Sequence, residues 1–127
     1  MELLVGLKCV ACRADSPRVT EEEIARYQPQ IADWQLIEHE GMPKLQRIFS
    51  CSPYTKALKF TQMVGELADA EDHHPAILTE YNKVTVTWWT YAIDGLHRND
   101  FIAAAKTDQL YQNLNDSASP PAPLLKR

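Results

Sequence analysis

Between residues 69 and 100 the chain gathers side chains able to move protons near neutral pH. Asp69-Ala70-Glu71-Asp72-His73-His74-Pro75 sets two adjacent histidines among acids and stops on proline, and His97-Arg98-Asn99-Asp100 follows after an aromatic strand. Imidazole, with an unperturbed pKa of about 6.5, both gives and takes protons in this range, and a nearby carboxylate can fix its tautomer or favour its charged form. The pattern points to general acid–base chemistry with His73 and His74 as the exchanging groups. Two histidines ending a helix also have a plainer explanation: as cations they complement the negative helix end by about 0.3–1 kcal/mol.

The flanking elements must position these rings. Thr20-Glu21-Glu22-Glu23 reads as a capping box opening a helix over 21–28, buried on Ile24, Ala25 and Tyr27, with Pro29 ending it. Residues 34–40 and 45–49 read as strands joined through Gly41-Met42-Pro43-Lys44, an antiparallel hairpin. Ser52-Pro53 opens what reads as the longest helix. Its apolar stripe is Tyr54, Ala57, Leu58, Thr61, Val64, Leu67 and Ala68, with Lys56, Lys59, Gln62, Glu66 and Asp69 opposite.

Residues 76–81 and 83–91 read as a second strand pair. A period of two puts Val84, Val86 and Trp88 on the core side and Thr85, Thr87, Trp89 and Tyr91 on the other. A last helix over 99–114 buries Phe101, Ile102, Ala105 and Leu110. The order α-β-β-α-β-β-α predicts an α+β fold, a four-stranded antiparallel sheet covered on one face by helices. The chain divides into an arm (1–18), one domain (19–114) and a Ser/Pro-rich tail (115–127) expected to be disordered.

At 127 residues there is room for one core. A net charge of −4 argues against non-specific nucleic-acid binding, which needs a basic stripe. No run approaches the roughly 20 apolar residues of a membrane span, and the start is too short and acidic for a secretory signal. Three cysteines, an odd number, suggest no disulfide framework, and a reducing cytoplasm is the expected compartment.

Several of these segments together resemble the signature of the pterin-4a-carbinolamine dehydratases. The matches are Asp69, His73, His74, Pro75, Tyr81 and Asp100, with Tyr81-Asn82-Lys83-Val84, the Val84-to-Trp89 strand and Gly95-Leu96 in register, over roughly residues 9–112. The resemblance implies the fold already predicted and a homodimer or homotetramer. It implies catalytic roles for His73, His74 and Asp100, and binding of a reduced pterin by Asp69, Pro75, Tyr81 and Trp89, without metal or organic cofactor. One position departs: the family's third histidine falls on Tyr91. A phenol with unperturbed pKa near 10 is a poor base at pH 7, though it donates a hydrogen bond.

That departure resembles a branch of the family associated with α-carboxysomes, which acts in Rubisco assembly without a complete catalytic motif. The expectation is a non-catalytic protein-binding assembly factor with Rubisco as client, cytoplasmic or carboxysome-associated. The alternative is an active dehydratase recycling the pterin of an aromatic amino-acid hydroxylase, with Tyr91 as hydrogen-bond donor.

Other signals are weaker. Cys9 and Cys12 form a single Cys-x-x-Cys; zinc would need two more ligands, and Cys51, His39 and His97 stand at no recognisable spacing, so reduced thiols on an ordered arm are the simpler reading. Of the adjacent Trp88 and Trp89, one faces the core; the other, exposed on the sheet, would anchor a subunit or line a pterin pocket. Lys56, Lys59, Arg98 and Lys106 read as solvated helix charges.

Overall fold

The computed structural model of the chain describes residues 3–11 and 15–118. Helix α1 (Glu21–Tyr27) starts on the expected capping box: Thr20 Oγ1 accepts from the Glu23 amide, and Glu23 Oε1 accepts from the Thr20 amide. A 3₁₀ turn through Pro29 leads to β1 (Gln35–His39) and β2 (Met42–Ser50), then α2 (Tyr54–Glu71), β3 (Ala76–Glu80), β4 (Lys83–Trp88) and α3 (Arg98–Ala118). The strands form one antiparallel sheet in the order β1-β2-β4-β3. This is the α+β architecture that the element order predicts.

The register explains which face is covered. Leu45 lies opposite Trp88 and Phe49 opposite Val84, so these side chains share a face with Val86, and all five are buried. Ala57, Phe60, Val64 and Ala68 of α2, with Phe101, Ile102, Ala104 and Ala105 of α3, close over them. On the other face Ile48, Thr85 and Leu78 stand in one row across β2, β4 and β3; Ile48 is 59% exposed and Leu78 57%. That face carries no helix among the described residues.

Several local expectations need correction. The hairpin turn is Glu40-Gly41, with φ of 55° and 78°, and β2 already begins at Met42, paired with His39. Two consecutive positive φ values match the twist of the strands they join. Pro43 is tolerated inside β2 because β4 pairs only from Leu45 onward, so no ladder bond is lost there. The longest helix is α3, with 21 residues against 18 in α2. It continues past Leu114 to Ala118, so 115–118 are helix rather than tail, and the rest of the expected tail lies outside the described residues.

Helix α2 is preceded by Pro53 as its cap residue, not by Ser52, and no side chain caps it. Its buried stripe is Ala57, Phe60, Val64 and Ala68, while Tyr54 and Leu58 are about half exposed at 47% and 46%. The arm is docked: Leu4 is fully buried and its amide donates to Gln30 Oε1. No helix among the described residues is long and apolar enough to cross a membrane.

Candidate active site

The two histidines lie just beyond α2, not within it. Asp72 takes a left-handed conformation (φ 52°) after Glu71, and the His73 amide reaches back to the Ala68 carbonyl at 3.1 Å. That bond satisfies a helix-end carbonyl and turns the chain sharply. Pro75 then leads into β3, and the two adjacent rings take different partners, His73 the buried Asp100 and His74 the exposed Asp69.

His73 turns inward. Its ring stacks on Trp88, with centroids 5.2 Å apart and planes 24° apart, and Nε2 lies 2.6 Å from Asp100 Oδ1. The His73 side chain is 10% exposed and Asp100 is fully buried. The second oxygen of Asp100 accepts from Thr90 Oγ1 at 2.8 Å and from the His97 amide at 2.9 Å. With both oxygens engaged the carboxylate cannot rotate, and it accepts from His73 Nε2–H. Nδ1 is thereby left as the basic nitrogen, and it meets no partner among the described residues. Trp88 is itself fixed, since its Nε1 donates to Thr107 Oγ1 at 3.1 Å.

His74 turns outward. Its Nε2 lies 3.0 Å from Asp69 Oδ1, with side chains 58% and 83% exposed. A polar contact this open to water contributes little stability. The structure therefore joins four of the eight expected residues in two pairs, His73 with Asp100 and His74 with Asp69, and places Pro75 between them in sequence.

The other three stand apart. Tyr81 is 76% exposed in the turn after β3, at the opposite end of that strand from Pro75, about 20 Å away at the usual rise per residue. Strand β4 ends at Trp88, so the period of two does not extend to Tyr91, which instead begins a 3₁₀ turn through Ile93 closed by the Thr90–Gly95 bridge. Tyr91 is 69% exposed; its ring meets the Trp89 ring edge-on at 4.9 Å, and its hydroxyl bonds neither imidazole. Trp89, expected to be exposed, is only 7% exposed, roofed by Lys44 Nζ at 3.9 Å from its ring. Its Nε1 is buried with no hydrogen-bond partner, alone in this among the described residues. A cavity of about 290 Å³ on the uncovered sheet face is bordered by Trp89, Thr87, Lys44 and by Ala76, the residue after Pro75.

Thr90, His97 and Trp88 are the residues of this constellation whose roles the sequence reading does not assign. The sequence places His97 in the histidine–acid cluster and weighs it as a metal ligand, without giving it this supporting role. It is 6% exposed, and burial pulls its pKa below the ordinary 6.5, with Asp100 opposing and Arg98 and His73 assisting. Among the described residues no cluster of His, Cys, Asp and Glu is arranged to hold a metal. Cys12 lies outside the described residues. Cys9 donates from its amide to Glu71 Oε1, which also sits beside Lys106 through Oε2, and its thiol points at the Asn99 carbonyl. Burial, reinforced by Glu71, pushes that thiol up to about 12. Lys106 is thus paired and not merely a solvated helix charge.

Comparison with known proteins identifies the frame. Residues 17–110 match the family model described as pterin 4 alpha carbinolamine dehydratase. A protein of Nitrosococcus oceani named "Putative pterin-4-alpha-carbinolamine dehydratase" is 53% identical over 113 residues, 89% of this chain and all of that protein. One from Gloeobacter violaceus, of the same name with the number 1, is 55% identical over 84% of this chain and 92% of its own length. A crystal structure of a transcriptional coactivator/pterin dehydratase from Brucella melitensis superposes with a TM-score of 0.67 at 27% identity, covering 75% of this chain and 99% of that one. The chain belongs to the pterin-4a-carbinolamine dehydratase family.

Proposed function

We propose that the chain is an active dehydratase of a reduced pterin carrying a hydroxyl at C4a, with His73 and His74 sharing the proton transfers. The observation that carries this reading is the 2.6 Å hydrogen bond from His73 Nε2 to Asp100, fixed from behind by Thr90 and the His97 amide. In the reaction the C4a–O bond breaks, the departing hydroxyl gains a proton and leaves as water, and N5 gives up its proton as the C4a–N5 double bond forms. His73 takes the N5 proton at Nδ1, and Asp100 stabilises the imidazolium that results. His74, open to solvent, protonates the leaving oxygen. Each transfer is worth roughly 10²–10⁴-fold. Neither step needs a metal or organic cofactor.

Tyr91 does not weigh against this reading. Its ring projects into solvent and obstructs neither imidazole, so the substitution removes one group without filling the space around the others. The names of the relatives support the substrate class. The test is stopped-flow mixing of the purified chain with freshly formed carbinolamine: acceleration over spontaneous dehydration supports the reading, and an unchanged rate contradicts it.

The phenol at Tyr91 favours a second reading, in which catalysis is lost and the fold serves as a protein-binding factor in Rubisco assembly in α-carboxysome systems. Exposed Tyr81, Tyr91 and Leu78 are side chains of the kind that anchor protein interfaces. Under it, Tyr91→His would create turnover that the natural chain lacks, and the chain would co-elute with Rubisco on a sizing column. Under either reading a homodimer or homotetramer is expected, because β1 and β3 are edge strands with no further strand partner among the described residues.

A further inference from the structure

A second cavity, of about 430 Å³, lies between the arm, the start of α1 and the start of α3; Val10, Arg18, Val19, Glu23, His97 and Arg98 are among its walls. Its volume falls within the range usual for small-ligand pockets. We propose that it is a binding site for a small oxyanion, a phosphate or carboxylate, separate from the His73–Asp100 pair.

The cavity is bordered by donors that outnumber its charged acceptors. His97 is 6% exposed, and its Nδ1 accepts from the Asn99 amide at 2.9 Å. A ring nitrogen that accepts carries no proton, so the proton of the neutral ring sits on Nε2. That N–H has no partner among the described residues, and the open space bordering His97 is this cavity. The ring is nearly buried, yet this nitrogen is not sealed off as Trp89 Nε1 is, so a ligand oxygen entering the cavity can reach it.

Two guanidinium groups line the same space. Arg18 is held in place: its Nε donates to the Ile93 carbonyl at 2.9 Å, and it lies so close over Gly95 that a Cβ there would stand 3.4 Å from that nitrogen. Its two terminal amino groups make no hydrogen bond among the described residues. Arg98 makes no hydrogen bond or ion pair among the described residues. Against these stands one carboxylate, Glu23, whose Oε1 already accepts from the Thr20 amide. Two forked cations and an imidazole N–H border one cavity with a single carboxylate, one of whose oxygens is already engaged, a set that an oxyanion satisfies better than a cation or a neutral apolar molecule. Val10 and Val19 supply an apolar wall for the carbon part of such a ligand.

The experiment is titration of the full chain, at constant ionic strength, with inorganic phosphate and separately with succinate. It is followed by NMR at the His97 ring and the Arg18 and Arg98 Nε–H signals. Saturable shifts at all three are expected with at least one probe, and the tighter of the two names the source. Arg98→Gln should weaken that binding about tenfold, as loss of one charge-assisted contact does. His97→Asn retains a helix-capping side chain and should weaken it as well while the fold persists. Absence of saturable shifts with both probes, equal shifts with sodium chloride alone, or undiminished affinity in Arg98→Gln would overturn the proposal.

Discussion

His73 and Asp100, 27 positions apart in sequence, meet through a 2.6 Å hydrogen bond in which the carboxylate is fully buried and the ring nearly so. Because Thr90 and the His97 amide hold the other oxygen, the imidazole is fixed in tautomer as well as direction. Asp100→Asn would keep the shape while presenting Nε2 with an amide. The expected result is a fall in kcat of roughly 10²–10⁴-fold, with KM changing far less. A variant whose kcat matched the natural chain would show that the carboxylate only supports the fold.

The hydroxyl of Tyr91 bonds neither imidazole, so Tyr91→Phe should leave the dehydration rate within about twofold. A steep loss would mean that the phenol reaches the substrate after all.

Burial depresses the pKa of His97, with Arg98 and His73 adding to the effect and Asp100 and Glu23 opposing it. The unfolded chain binds a proton near the ordinary value of 6.5, whereas the folded chain binds it only at lower pH. The associated stability is present above 6.5 and is lost as pH falls toward the folded value. Urea unfolding at about pH 7.5 and about pH 5.5 should show the natural chain losing more stability than His97→Asn. Equal losses would contradict the assignment.

Cys9 behaves oppositely. Its thiol is pushed up to about 12 by burial and by Glu71, against an ordinary value of 9.0. Above pH 9.0 the unfolded chain gives up this proton first, so stability falls as pH rises from there toward 12. Iodoacetamide should label Cys9 in the native protein far more slowly than in urea, because the thiolate is the reactive form. Comparable rates in both conditions would show that the arm is not docked.

Phe60 is completely buried, with its ring 4.8 Å from Phe49 and 5.5 Å from Tyr111. Phe60→Ala is expected to destabilise the fold by about 3–5 kcal/mol, read from chemical denaturation. A loss below about 1 kcal/mol would contradict this view of the core.

The sheet and its core face were legible because they follow from local period. Val84, Val86 and Trp88 alternate with threonines, and the structure buries all three. Thr20 and Glu23 announce α1 because a capping box is contained within four residues. The failures come where tertiary contacts end or redirect an element. Extending the β4 period to Tyr91 fails since the Thr90–Gly95 bridge starts a new turn after Trp88. Trp89 looked exposed because nothing local shows that Lys44, on another strand, covers it. Apolar spacing along α2 takes in Tyr54 and Leu58 and passes over Phe60, yet Phe60 packs inward and the other two do not, a choice made by where α3 and the sheet lie. Of the site, the types and spacing of His73, His74 and Asp100 were visible, but the supports, Thr90 and the His97 amide, emerge only when the chain folds back.

The central claim is that a buried carboxylate makes His73 a working base even with a phenol at Tyr91. The most direct measurement is the stopped-flow dehydration rate of a freshly generated C4a-hydroxy pterin with the natural chain and with His73→Ala. The account predicts clear acceleration by the first and, in the second, a loss of roughly 10²-fold or more. A natural chain no faster than the spontaneous reaction, or a His73→Ala variant equal to it, would contradict the account.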